Sequence, residues 1–243
     1  HAPVIIQSYS RLFKEDTSFF IAPMVLAAAN RAKVPVCYHL DHGASELETN
    51  RALRLGCTGV MIDASRKPLE ENIAITKGVV EMAAEMGIGV EGELGVLAGV
   101  EDHVFSATST YTNPMQAVDF FKKTGCDALA ISYGTCHGAN KGKDTKIRRE
   151  IAIATKECML HEGIDGYLVS HGSSTVPQEY VQGINALGLS MSSPLAVSIT
   201  IGTLENSRIC WHTSSPSILG SIRSRRIISY LFSFAFSTAS SPS

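Results

Sequence analysis

The chain has 243 residues, 44% of them hydrophobic, and a formal net charge of −2 from 21 Lys and Arg against 23 Asp and Glu. That is enough to bury one large core, and it excludes the long-range field that draws nucleic acid or an anionic membrane, which leaves a small molecule as the partner. The six cysteines (Cys37, Cys57, Cys126, Cys136, Cys158 and Cys210) lie scattered without a C-x-x-C pair, the usage of a cytoplasmic protein. The longest apolar run, "IISYLFSFAF", is too short to span a bilayer. No initiator Met precedes His1, so the numbering is expected to begin inside a longer protein.

In chain order, "APVIIQ" reads as a strand and "TSFFIAPMVLAAANRAK" as a helix. The strand "VPVCYHLD" follows, breaking off into His39, Asp41 and His42, a carboxylate between two imidazoles. "SELETNRALRLG" opens with a capping-box pairing of Ser45 and Glu48 and stops at Gly56. After the strand "GVMIDAS", the helix "PLEENIAITKGVVEMAAEMG" has Glu70 and Glu71 in its first turn and ends at Gly87. The strand "GVEGELG" leads to "NPMQAVDFFKKTG", with Asn113 as cap, Pro114 at the first helical position and Gly125 as stop. "ALAISYG", a helix in "TKIRREIAIATKECMLHEG", "GYLVSHG" and a helix in "VPQEYVQGINALG" complete the series. Strand and helix alternating at this spacing predict a parallel sheet with crossover helices, either a (β/α)8 barrel or an open doubly wound sheet.

The ionisable residues favour the barrel. Asp41 and His42, Asp63, Glu93, His137 and His171 each fall where a predicted strand ends. In a barrel those ends converge on one cavity built by the βα loops. Three imidazoles with an open fourth position suit a catalytic zinc ion that must leave room for a substrate oxygen. His103 and His161 lie off the strand ends and are expected to be ordinary loop or surface histidines. "HGANKGK" after His137 and "HGSS" after His171 put backbone N–H groups, hydroxyls and ammonium groups beside the proposed ligands, which suggests a phosphorylated substrate.

Taken together, "HLDHG", "VMIDAS" with "PLEEN", "VEGELG" with "GVED", "YTNP" with "TGCDALAISYGTCHGANKGK", and "HGSS" resemble the class II, metal-dependent ketose-bisphosphate aldolases, in order from about Ala2 to Gly188. The resemblance implies a TIM barrel, a homodimer or homotetramer, and Zn2+ bound through His42, His137 and His171, with Glu93 and Asp63 as acids near the metal. It implies that Asp41 is the acid and base at the hydroxyl of the bond that breaks. Glu101, in the loop "GVEDHVFS", matches the mobile-loop glutamate that moves a proton at the dihydroxyacetone-phosphate carbon. Gly138, Lys141, Gly172 and Ser174 match the segments holding the phosphate and a monovalent cation, Na+ or K+. The implied reaction is reversible cleavage of a fructose or tagatose 1,6-bisphosphate to dihydroxyacetone phosphate and glyceraldehyde 3-phosphate. Two other readings stay open on the sequence: an inactive metal-binding relative, and an aldolase for another phosphorylated ketose.

The chain departs from the family pattern at both ends. The opening strand and helix that the family supplies before "APVIIQ" are missing, so the barrel is expected to lack its first strand. From Leu189 the sequence turns serine-rich, lacks lysine and has Glu205 as its only acid, with no strand of the family's eighth type. We therefore expect residues 1–188 to be the aldolase-like barrel domain and 189–243 an atypical tail produced by a slipped reading frame or an unspliced intron. Such a barrel would expose two sheet edges. In "IIQSYSRLF", Ser10 and Arg11 stand where the family commonly has Pro-Gly or Ser-x-Gly, so the distal phosphate is expected to be read differently, which weakens the choice between fructose and tagatose.

Overall fold

The short apolar runs become strands buried on both faces, joined by amphipathic helices in the order the periodicity predicts. The computed structural model describes residues 4–96, 98–101, 104–106, 110–137, 146–173, 176, 180, 189–191 and 197–200. Its main elements are β1 (Val4–Tyr9), α1 (Ser10–Lys14), α2 (Ser18–Arg31), β2 (Val36–Gly43), α3 (Glu46–Arg54), β3 (Gly59–Ile62), α4 (Leu69–Ala84) and β4 (Gly89–Leu94). After these come β5 (Ala98–Glu101), β6 (Val104–Ser106), α5 (Pro114–Thr124), β7 (Ala128–Ile131), β8 (Cys136–His137), α6 (Arg149–His161), β9 (Tyr167–Ser170), β10 (Leu189–Met191) and β11 (Val197–Thr200). The helix expected in "VPQEYVQGINALG" falls mostly outside the described residues.

The signals that ended the helices in the sequence act as read. Ser45 Oγ accepts from the Glu48 N–H at 3.3 Å, while the Glu48 carboxylate reaches back to the Ala44 N–H at 3.0 Å. Asn113 Oδ1 accepts from the N–H groups of Met115 and Gln116, and Gly125 closes α5 in the left-handed region at φ 70°.

In the main sheet the strands run β10-β9-β7-β4-β3-β2-β1-β11, and β1, β2, β3, β4, β7 and β9 pair in parallel. The sheet curls into a half-barrel. Three strands separate β2 from β9, yet Tyr167 of β9 packs against Ile5 and Cys37, and His171 meets His42. Alternate residues divide the core as the pleat requires. The outward set, including Leu40, Val60, Ile62, Val90, Leu129 and Ile131, packs under the helices, against such residues as Leu53, Val79, Phe120 and Met159. Each such side chain contributes roughly 1.5–3 kcal/mol on burial. The inward set is small or polar, with Met61, Ala128, Ala130 and Val169 forming its own cluster.

Two features differ from the sequence reading. The segment read as a loop around Glu101 is a hairpin of β5 and β6, and β5 also pairs in parallel with β8. The exposed sheet edges are each covered: Leu189–Met191 adds a parallel strand beside β9, and Val197–Thr200 pairs antiparallel with β1. Both covering strands come from the segment assigned to the tail, whose other residues, apart from these two stretches, lie outside the described set.

Candidate metal centre

Successive residues of a strand point to opposite faces, so Asp41 and His42 should not share a site. A bulge brings them together. Pairing between β2 and β3 shifts between Leu40 and Gly43, and His42 takes a left-handed φ of 49°, the one positive φ among the described non-glycine residues. Such a conformation costs about 1–3 kcal/mol and persists where surrounding structure imposes it. Both side chains end up buried, at 8% exposure for Asp41 and 6% for His42.

Around His42 the strand ends converge. His42 Nε2 lies 2.7 Å from His171 Nδ1 and 4.0 Å from Asp41 Oδ1. On the other side of the ring, Nδ1 is 3.1 Å from Asp63 Oδ2 and 3.6 Å from Glu93 Oε2. His171 Nε2 meets Glu91 Oε1 at 2.8 Å, and the other Glu91 oxygen lies 3.5 Å from His39 Nε2. Asp41 also accepts from Gln7 Nε2 at 3.5 Å. Asp41, His42 and His171 form one group of donor atoms able to hold a metal ion, and His42, Asp63 and Glu93 form another.

The carboxylates stay ionised despite burial. Burial opposes the charge on Glu91, but the hydrogen bond from His171 and the nearby charge of His39 outweigh it and bring its pKa down to about 2. Asp63 is likewise penalised by burial, and its hydrogen bonds with His42 and Ser65 hold it well below the usual carboxylate range. Burial and the neighbouring His42 disfavour a charged His171, yet Glu91 prevails and raises its pKa. For His39, burial lowers while Cys37 and Glu91 raise, and the net direction is upward; at 3.5 Å its meeting with Glu91 is a charge contact rather than a hydrogen bond.

These protonation states bear on whether a metal fits. Each ionised carboxylate can only accept, so the ring hydrogens fall on His42 Nδ1 and His171 Nε2, which leaves His42 Nε2 and His171 Nδ1 facing each other. Those two facing nitrogens are the ones that would be offered to a divalent metal, whose binding requires both to be free of protons. The donor set fits a divalent metal, with Asp63 and Glu91 orienting the two rings from behind.

Lowered carboxylate pKa values set an acid limit. The stabilisation they bring is fully present above the unfolded value, near 4.5 for Glu91, and is lost as pH falls toward about 2. Urea titrations of the metal-free chain should show stability falling from pH 5 to pH 3, with a shallower slope in Glu91→Gln.

Of the residues singled out in the sequence, Asp41, His42, His171, Glu93 and Asp63 are brought together. His137 is placed by its backbone in β8, where it pairs with Gly99, two residues before Glu101. Gly172 follows His171 in the left-handed region at φ 61°. Gly138, Lys141, Ser174 and His103 lie outside the described residues. His161 is a surface residue at the end of α6, as read. Glu91 was missed, and His39, noted beside Asp41, was given no role. The signal was present: each stands two residues before a residue that was chosen, Glu93 and Asp41, and so on the same strand face. Beside the centre a cavity of about 670 Å3 runs from His42 and Asp63 out to Arg11, Lys14, Arg66 and Lys67.

A family model described as fructose-bisphosphate aldolase class-II matches residues 1–191. A fructose-bisphosphate aldolase of Thermus caldophilus is 45% identical over 167 residues, 68% of this chain and 53% of that protein. One from Giardia intestinalis is 38% identical over 200 residues, 82% of this chain and 61% of that protein. The crystal structure of the YdjI aldolase from Escherichia coli K12 superposes with a TM-score of 0.64 at 31% identity, covering 78% of this chain and 64% of that one. The chain thus spans between half and two thirds of the length of these relatives.

Proposed function

Because the chain belongs to the class II fructose-bisphosphate aldolase family, we propose that it is a zinc-dependent lyase reversibly cleaving a ketose 1,6-bisphosphate, fructose or tagatose, to dihydroxyacetone phosphate and glyceraldehyde 3-phosphate. The observation that carries this reading is the meeting of Asp41, His42 and His171 at the ends of two strands that lie apart in the sheet. His42, His137 and His171 would hold the ion, with Glu93 close by. Bound there, a divalent metal supplies Lewis-acid stabilisation of the negative charge that carbon–carbon cleavage leaves on the ketose oxygens.

The chain's own groups manage the protons. Asp41 takes the hydroxyl proton at the carbon that becomes the aldehyde, and returns it in the reverse direction. Glu101 delivers a proton to the carbon that becomes part of dihydroxyacetone phosphate. Gly138, Lys141, Gly172 and Ser174 hold the phosphate of that half with a monovalent cation, Na+ or K+, while the cations lining the cavity, Arg11 among them, suit the distal phosphate. Burial of the free cysteines Cys37, Cys57 and Cys126 supports a cytoplasmic protein, and no described helix is long and apolar enough to cross a membrane. A homodimer or homotetramer, the family habit, is part of the reading. So is a division near Gly188 into barrel and tail of shifted frame; translating the transcript across Leu187 to Ser198 in all three frames tests that boundary.

The full chain with Zn2+ should release dihydroxyacetone phosphate from fructose or tagatose 1,6-bisphosphate, lose that activity to a chelator and regain it on zinc addition. Zinc binding with no cleavage of either sugar bisphosphate would overturn the proposed activity.

A further inference from the structure

Behind the metal centre lies a second polar layer that catalysis as described above does not use. His39 is 5% exposed and Glu91 7%, and Glu91 shares its sheet face with its cross-strand neighbours Met61 and Ala128 of the inward cluster. Neither ring nitrogen of His39 has a hydrogen-bond partner among the described residues, and its nearest charged neighbour is Glu91 Oε2, 3.5 Å from Nε2. The adjoining strand makes room for the ring: on β3 the residue opposite His39 is Gly59, where a Cβ would fall 2.7 Å from His39 Nδ1. An apolar side chain would fill this space without the desolvation cost of an imidazole beside a carboxylate.

Glu91 needs a second partner for a geometric reason. The last torsion of a glutamate is soft, so a carboxylate bonded through one oxygen can swivel about that contact. Glu91 Oε1 accepts from His171 Nε2, and this bond decides which nitrogen of His171 carries its hydrogen and which way Nδ1 points. A charge contact at Oε2 pins the carboxylate plane.

We propose that His39 is a positioning residue for the metal centre, holding Glu91 so that Glu91 keeps His171 Nδ1 turned toward the bound metal. This rests on the metal-binding reading of the site. The inward face of β2 then serves the metal twice, through Asp41 beside the centre and through His39 from below, two residues earlier on the strand.

The test uses the full chain and reads metal affinity rather than turnover. His39→Leu should weaken Zn2+ binding, measured by chelator competition, by about 10–100-fold, and alter the visible spectrum of the Co2+-loaded protein. His39→Gln, whose amide N–H still reaches Glu91, should stay close to wild type in both. Glu91→Gln should show the same loss as His39→Leu, and the double variant little more than either, because the two act through one linkage. If His39→Leu does not fold, His39→Asn, too short to reach Glu91, replaces it in the comparison with His39→Gln.

Wild-type affinity and cobalt spectrum in folded His39→Leu or His39→Asn would overturn the proposal. So would equal losses in the Gln variant, or losses that add in full with Glu91→Gln. A wild-type chain that binds no zinc would instead overturn the metal-binding reading itself, which keeps the two failures distinct.

Discussion

Asp41→Asn should lower kcat for ketose-bisphosphate cleavage by roughly 10²–10⁴-fold, the span of a general acid–base group, while zinc stays bound. The substitution is nearly isosteric and keeps an oxygen that can accept from Gln7 Nε2, so the bulge and the His42–His171 pair should persist. What disappears is the basic oxygen proposed to take and return a proton. Asp41 Oδ1 lies 4.0 Å from His42 Nε2, beside the donor atoms of the centre, where a substrate hydroxyl held there would come within its reach. Stopped-flow turnover with parallel zinc analysis checks the result. Loss of zinc together with activity would reassign Asp41 to the metal, and retained activity would remove it from the reaction.

His171→Ala should have a different signature, with metal affinity and activity falling together. If one ligand carries about a quarter of a zinc site's binding free energy, the loss in affinity is roughly 10²–10³-fold. The variant also strips Glu91 of its closest partner, leaving the buried carboxylate with His39 at 3.5 Å. Removing one member of a buried charged pair costs about 3–5 kcal/mol, so the melting temperature of the metal-free chain should drop as well. Titration with excess zinc separates the two effects, because saturating metal would restore occupancy without restoring the lost partner of Glu91. Normal affinity in a folded His171→Ala chain would exclude His171 as a ligand.

Much of this site was legible because a parallel sheet orders its ends. Once "VCYHLDH", "GVMID", "GVEGE" and "YLVSH" are read as strands, the polar residue at each end is bound to face the same side, and Asp41, His42, Asp63, Glu93 and His171 follow. The helix stops at Gly56, Gly87 and Gly125 were equally plain, since each needs the positive φ that glycine adopts without strain. The bulge at His42 was not legible. Strict alternation puts His42 on the face opposite Asp41, and the left-handed conformation that corrects this is imposed by tertiary packing, with no glycine at the position to announce it. Glu91 escaped for another reason: it sits inside a strand, where a polar residue looks like a break in the apolar pattern, and its partners His171 and His39 come from strands far away in sequence; His39 was noted beside Asp41, but no local pattern says that it faces Glu91. The hairpin around Glu101 was hidden because it pairs with β8 instead of the main sheet. Coverage of the β1 edge by Val197–Thr200 depends on antiparallel pairing across nearly the whole chain, which local pattern does not encode.

If imidazoles at the strand ends form the metal centre, X-ray absorption at the zinc edge of the metal-loaded full chain should show a first shell of nitrogen and oxygen only, with the scattering pattern of imidazole from His42, His137 and His171. Sulfur in that shell, or no imidazole scattering at all, would place the metal elsewhere and contradict that expectation.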